Sequence, residues 1–201
     1  EVDSQYLNGM PGGGNSHGNN VMGAAAADTD NGYGIAAIGY NSSLIPIRKQ
    51  LWTCYDEALY LAENYDEIKV INISMICGSG DVAAETFETI WKDENVTVVA
   101  AAGNGWRSGP NATNYIYPAS HDYVISVSSV GSQNEYGFVG DNDKMYDWKD
   151  VHELHVGQSN TTFQHNDKVD LVAPGYSVAT TNGHDEYRVS YGSSYSSPMV
   201  A

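Results

Sequence analysis

The sequence predicts an α/β protein, a three-layer fold with a mostly parallel central sheet flanked by helices on both faces. Three observations carry this. Apolar runs of strand length recur at Val70 to Ile76 (VINISMI), Val96 to Ala102 (VTVVAAA), Tyr123 to Val130 (YVISVSSV) and Val169 to Ala173 (VDLVA). Such near-continuous runs are the mark of strands covered on both faces rather than one. Amphipathic helical patterns alternate with the first of them. A chain of 201 residues, 41% hydrophobic, can bury one substantial core.

The elements follow in order. The segment from Glu1 to Ser16 is rich in Gly, Asn and Pro, residues that make turns, and reads as a surface loop. From His17 the chain turns apolar and Ala-rich (HGNNVMGAAAADT), which suits a buried helix; the turn formers of DTDNGYG end it. His17 therefore stands at the mouth of a helix. Leu44 to Arg48 (LIPIR) is long enough for a strand, although Pro46 argues against a central place in the sheet. Thr53 with Asp56 and Glu57 resembles a capped helix start, and Ala58, Leu59, Leu61, Ala62 and Tyr65 continue at helical spacing. The strand VINISMI, a second helix from Val82 to Asp93 and the strand VTVVAAA come next. In a sheet of this kind ligands bind beyond the carboxyl ends of the strands, so chemistry is expected in the loops after Ile76 and Ala102.

A long polar stretch, Gly131 to Asn166, separates the last two strands and reads as a surface insertion, residues 131–166. Its Trp148, His152, His155 and His165 lack the tight spacing of a zinc motif. Two cysteines, Cys54 and Cys77, make no disulfide framework. Unpaired buried thiols are the commoner state for such a pair, and the sequence leaves the pairing open.

Composition excludes some functions. Nine Lys and Arg stand against 25 Asp and Glu, a formal charge of −16 that disfavours nucleic acid and anionic membrane as partners. No apolar stretch reaches membrane-spanning length, and EVDSQYLNGM lacks the basic and apolar regions of a signal peptide. Beginning without Met and stopping within the apolar SSPMVA, the sequence reads as one incomplete domain. Oligomeric state is not legible.

Three segments speak to one mechanism. Ser16-His17-Gly18 precedes a helix, Ala101-Ala102-Gly103-Asn104 follows a buried strand, and Gly192-Ser193-Ser194 leads into Tyr195-Ser196-Ser197-Pro198. Each alone is weak, since a Gly-Ser-Ser triplet is more often a turn. In the order His, Asn, Ser, each at the end of an element, they form a constellation for acyl transfer.

These segments resemble the subtilisin-like serine peptidases (subtilases, peptidase family S8). SHGNNVMGAAAADTDNGYGIAAIGYNSSLIPIR resembles the active-site histidine region, VINISMI the substrate-binding strand, VVAAAGN the oxyanion-hole segment, VDLVAPG the strand and turn before the nucleophile, and GSSYSSPMVA the serine signature. The five matches span nearly the whole chain in family order. The resemblance implies the subtilisin-like fold and a serine endopeptidase. Ser194 matches the nucleophile, His17 the general base and acid, and Asn104 the oxyanion-hole donor.

The family's chain order is Asp, His, Ser, with roughly thirty residues between the first two. Only sixteen residues precede His17, so the triad aspartate is expected upstream; Asp3 is not assigned to it, and the chain alone should be unstable and nearly inactive. An extended peptide substrate is implied along Ser74, Met75 and Ile76, with Ala101, Ala102 and Gly103 as a pocket wall. Ile76 and Cys77 replace two family glycines, which favours small residues at the neighbouring substrate positions. Asn20 and Met199 stand where the family often has histidines, and Tyr195-Ser196 replaces Met-Ala.

The chemistry needs no cofactor. DTDNGYGI resembles a loop that binds structural calcium in many subtilases, through Asp30, Asn31, Tyr33 and Ile35. A secreted or cell-surface location is also implied by the family. The competing reading is an inactive binding module on the same fold. An α/β-hydrolase esterase is disfavoured, because that fold wants Gly-x-Ser-x-Gly and places the serine before the histidine.

Overall fold

The computed structural model describes residues 17–47, 54–105, 113–132, 148–149, 163–183 and 186–201. Four helices are present among them: α1 (His17–Ala26), α2 (Cys54–Asn64), α3 (Asp81–Lys92) and α4 (Ser193–Val200). The main sheet holds β1 (Val70–Ile73), β2 (Thr97–Ala101), β3 (Ile125–Ser132), β4 (Trp148–Lys149) and β5 (Leu171–Pro174). A separate hairpin joins β6 (Val178–Thr181) to β7 (Tyr187–Ser190).

The strands β1, β2, β3 and β5 are parallel neighbours in that order, with Ile73 beside Ala100, Val99 beside Ile125 and Val127 beside Leu171. Only β4 runs antiparallel, against the last residues of β3. Side chains alternate across β2 and so serve two cores. Val98 and Ala100 pack with Ala58, Ala62, Phe87 and Ile90 from α2 and α3. Val99 faces the other way, toward Val127, Ala173, Met199 and Val200, the last two from α4. The sheet is thus covered on both faces. Phe87 and Ile90 have no exposed surface, and burying side chains of that size contributes about 1.5–3 kcal/mol each.

Both cysteines are buried and joined, Cys54 at the start of α2 to Cys77 after β1. The question that the sequence left open is answered by the disulfide rather than by the commoner free thiols. Closing a loop of 23 residues' separation constrains the unfolded chain by roughly 3 kcal/mol.

Two expectations need correction. Leu44 to Ile47 form no strand: Ile45 and Ile47 are 56% and 47% exposed, and no described strand pairs with the run. Pro46 offers no amide to a ladder, and without a neighbour an extended run gains nothing from its apolar side chains; Arg48 and Thr53 lie outside the described residues. VINISMI is a strand only to Ile73, so Ser74 to Gly80 already belongs to a loop. The β6–β7 hairpin was not anticipated, although Asn182-Gly183 between two β-rich runs is a turn signal that could have found it.

Candidate active site

The parallel strands β1 and β2 end side by side, and the loops leaving them meet the start of α4. There the chain turns at Gly192, whose φ of 136° is open to glycine but strained for other residues. A side chain at this position would also crowd Asn104, since a Cβ would lie 3.2 Å from its Nδ2.

Asn104 is fixed by the first residue of α4. Its Oδ1 accepts hydrogen bonds from the Ser193 backbone N–H at 2.8 Å and the Ser193 hydroxyl at 3.0 Å. The Ser193 hydroxyl accepts in turn from the Gly103 N–H at 3.0 Å. Oδ1 is thus the end of the Asn104 side chain that Ser193 engages. Nothing in the Gly192-Ser193-Ser194 motif distinguishes this orienting role.

Ser194 is the second residue of α4 and half-buried. Its carbonyl accepts from the Ser74 hydroxyl at 2.8 Å, and its own Oγ lies 3.4 Å from the Ser74 carbonyl. A helix N-terminus here points backbone N–H groups at whatever stands before it and favours negative charge.

His17 opens α1. That helix is held against β6 by the Thr181 hydroxyl, which donates to the Asn19 carbonyl at 2.9 Å, and by the Thr180 hydroxyl on the Asn20 carbonyl. Their approach is so close that a Cβ on Gly23 would fall 2.7 Å from the Thr181 backbone nitrogen. The His17 ring meets Tyr195, the residue after Ser194, edge to face at 6.2 Å between centroids. Among the described residues no hydrogen bond joins His17 to Ser194; α1 and α4 are brought together by packing. His17 is exposed, yet the protein that covers part of its ring lowers its pKa from the ordinary 6.5 by desolvation. Desolvation favours the neutral imidazole, the form that can accept a proton.

The other predicted site residues divide into two groups. Ala101, Ala102 and Gly103 are buried, with the Ala102 N–H bonded to Val127 and the Gly103 carbonyl accepting from Gln164 at 3.1 Å. Met75 and Ile76 are exposed and Ser74 half-buried, so their segment is the open side. In the predicted insertion, most of which lies outside the described residues, Phe163 and Gln164 are fully buried. His152, His155 and Asp3 lie outside the described residues, and His165 bonds the Phe163 carbonyl.

In the calcium candidate, Asn31 Oδ1 accepts from the Tyr33 N–H at 2.9 Å. Among the described residues no three His, Cys, Asp or Glu side chains cluster for a metal. Asp30 supplies the one carboxylate of its set, and Asp30, Asn31, Tyr33 and Ile35 alone fall short of the six to eight oxygens that calcium takes.

A family model described as the Subtilase family matches residues 2–201. The chain belongs to the subtilase family. Among curated subtilases it is 30% identical over 194 residues to the thermophilic serine proteinase of Bacillus sp. (strain AK1), covering 93% of this chain and 41% of that protein. It is 31% identical over 196 residues to subtilisin DY of Bacillus licheniformis, covering 94% and 61%. The chain thus spans between two fifths and two thirds of the subtilases it matches. Among solved structures it resembles the S41 psychrophilic protease, with a TM-score of 0.65 at 21% identity, over 96% of this chain and 62% of that one. Sphericase matches with a TM-score of 0.64 at 20% identity, over 92% and 60%. These structural likenesses establish the subtilisin-like fold.

Proposed function

We propose that the protein carrying this chain is a serine endopeptidase that hydrolyses peptide bonds through an acyl-enzyme intermediate. The observation that carries the reading is the convergence at the start of α4: Ser194 on the first turn, Asn104 oriented by Ser193, and the α1 terminus bearing His17 against Tyr195. In this reading His17 takes the Ser194 proton as Oγ attacks the carbonyl carbon, and returns it to the leaving amine. The Asn104 amide and the Ser194 backbone N–H stabilise the oxyanion while it exists. Water then repeats the sequence and releases the acid.

The aspartate of the triad is assigned to no residue of this chain; family order places it ahead of His17. Activity therefore belongs to the full-length protein, and this chain alone is expected to hydrolyse little. The substrate is a protein or peptide held as an extended strand along Ser74 to Ile76, main-chain pairing giving affinity and the wall at Ala101 to Gly103 giving preference. The subtilisin relatives support a secreted or surface location. No helix among the described residues is long and apolar enough to cross a membrane.

The experiment is hydrolysis of an unfolded protein by the full-length protein, wild type against His17→Ala. Turnover that disappears with the imidazole supports the endopeptidase. A folded full-length protein that binds peptides without cleaving them supports the inactive-module alternative.

A further inference from the structure

The loop from Ser74 to Gly80 leaves the sheet where Ser194, Asn104 and Gly103 converge, yet its own packing is slight. Met75 and Ile76 are 45% and 55% exposed, and Ser79 to Val82 are exposed as well. Cys77 is the one buried side chain between Ile73 and Ala83. Its sulfur is bonded to Cys54, the first residue of α2, in the core that α2 shares with α3. On the other side the Cys77 N–H donates to the Tyr117 carbonyl at 2.9 Å. His121 Nε2 donates to the Gly78 carbonyl at 3.2 Å. That ring is itself held by Tyr117 and Phe87, at centroid distances of 4.6 and 5.4 Å. A segment with so little buried surface of its own is placed by its anchors.

We propose that the Cys54–Cys77 disulfide is a positioning device for the peptide-binding loop, so that affinity for extended peptides depends on the oxidised state while the reactivity of Ser194 does not. The inference rests on the peptidase reading above. A peptide that pairs with Met75 and Ile76 needs their backbone groups in one register, and a loose loop must be ordered at every binding event. Ser74 is secured separately: its hydroxyl donates to Ser194 and accepts from Asn72 Nδ2 at 3.0 Å. Cutting the disulfide therefore loosens residues 75–80 and leaves the serine and its neighbours in place. In the reduced state two electrons and two protons from a dithiol convert the bond to two thiols, and the dithiol closes to its own cyclic disulfide.

The test uses the full-length protein and its Cys54→Ala/Cys77→Ala variant, below the melting temperature of both. Three quantities are read: kcat and KM for a tetrapeptide amide, kcat and KM for a single-residue ester, and the labelling rate with a small fluorophosphonate. The expected result is a tetrapeptide KM raised on the order of tenfold, with tetrapeptide kcat, ester hydrolysis and labelling within twofold of wild type. Dithiothreitol brings the wild type to the variant's KM and does nothing further to the variant. His121→Gln, which can still donate to Gly78, keeps the wild-type KM, whereas His121→Phe raises it. An unchanged tetrapeptide KM overturns the proposal alone, as does a parallel loss of labelling and peptide hydrolysis in the variant. Absence of labelling in the wild type overturns the peptidase reading, and this inference with it.

Discussion

Around Asn104 the geometry makes distinct claims for neighbouring side chains. Replacing Asn104 by Leu removes the donor itself, and kcat is expected to fall about 10²- to 10³-fold with little change in KM, a magnitude carried over from the family. Ser193→Ala deletes the hydroxyl bonds to Asn104 and Gly103 but keeps the backbone N–H on Oδ1. A loss of about fivefold in kcat is expected there, since one neutral hydrogen bond that orients a group is worth roughly 1 kcal/mol. Steady-state kinetics on both variants separates donor from support. Desolvation lowers the His17 pKa in this chain, whereas a triad carboxylate beside it in the full-length protein would raise it; kcat/KM is expected to rise with pH as His17 loses its proton, which a pH profile reads directly. Motif and order proposed His17, Asn104 and Ser194, and the structure gathers Asn104 and Ser194 at the start of α4 with His17 against Tyr195. The role of Ser193 was not legible in the sequence, because it exists only once the loop after β2 and the start of α4 are brought together.

For the elements, placing His17 depends on the contact between α1 and β6. A Cβ on Gly23 would enter the Thr181 backbone, and overpacking of this kind costs about 1–3 kcal/mol. Gly23→Ala is expected to lower the thermal midpoint and, by displacing α1, to reduce activity further than the stability loss alone explains; denaturation and turnover on the same sample decide this. The four parallel strands were legible because runs such as VTVVAAA are apolar on both faces. The hairpin that carries Thr180 and Thr181 was not: its strands are half polar, with Ala179 and Val189 exposed, and they show no hydrophobic run. LIPIR failed in the opposite way, an apolar run whose pairing partner no local pattern could supply.

Among the described residues, two histidines have shifted titrations that link stability to pH. His17 and His121 both have pKa values lowered by desolvation, whereas unfolding returns them to about 6.5. Below that value the unfolded chain binds protons that the native state refuses, so stability rises with pH across this window and falls on acidification. The thermal midpoint is expected to drop as pH is lowered from about 7 toward 5, and His121→Gln should remove part of that slope. The pairs Lys168 with Asp122 and Lys92 with Glu88 lower the carboxyl pKa values, and their effect belongs to a lower, carboxylate window. All four groups are at the surface, where such pairs contribute little.

The central claim is that Ser194 is an activated nucleophile, and a fluorophosphonate probe tests it most directly. Full-length wild-type protein and its Ser194→Ala variant, both shown to be folded, are treated at neutral pH and examined by intact mass. The account requires one covalent adduct on the wild type and none on the variant. A folded wild type that remains unlabelled, or a variant labelled as fast as the wild type, would contradict it.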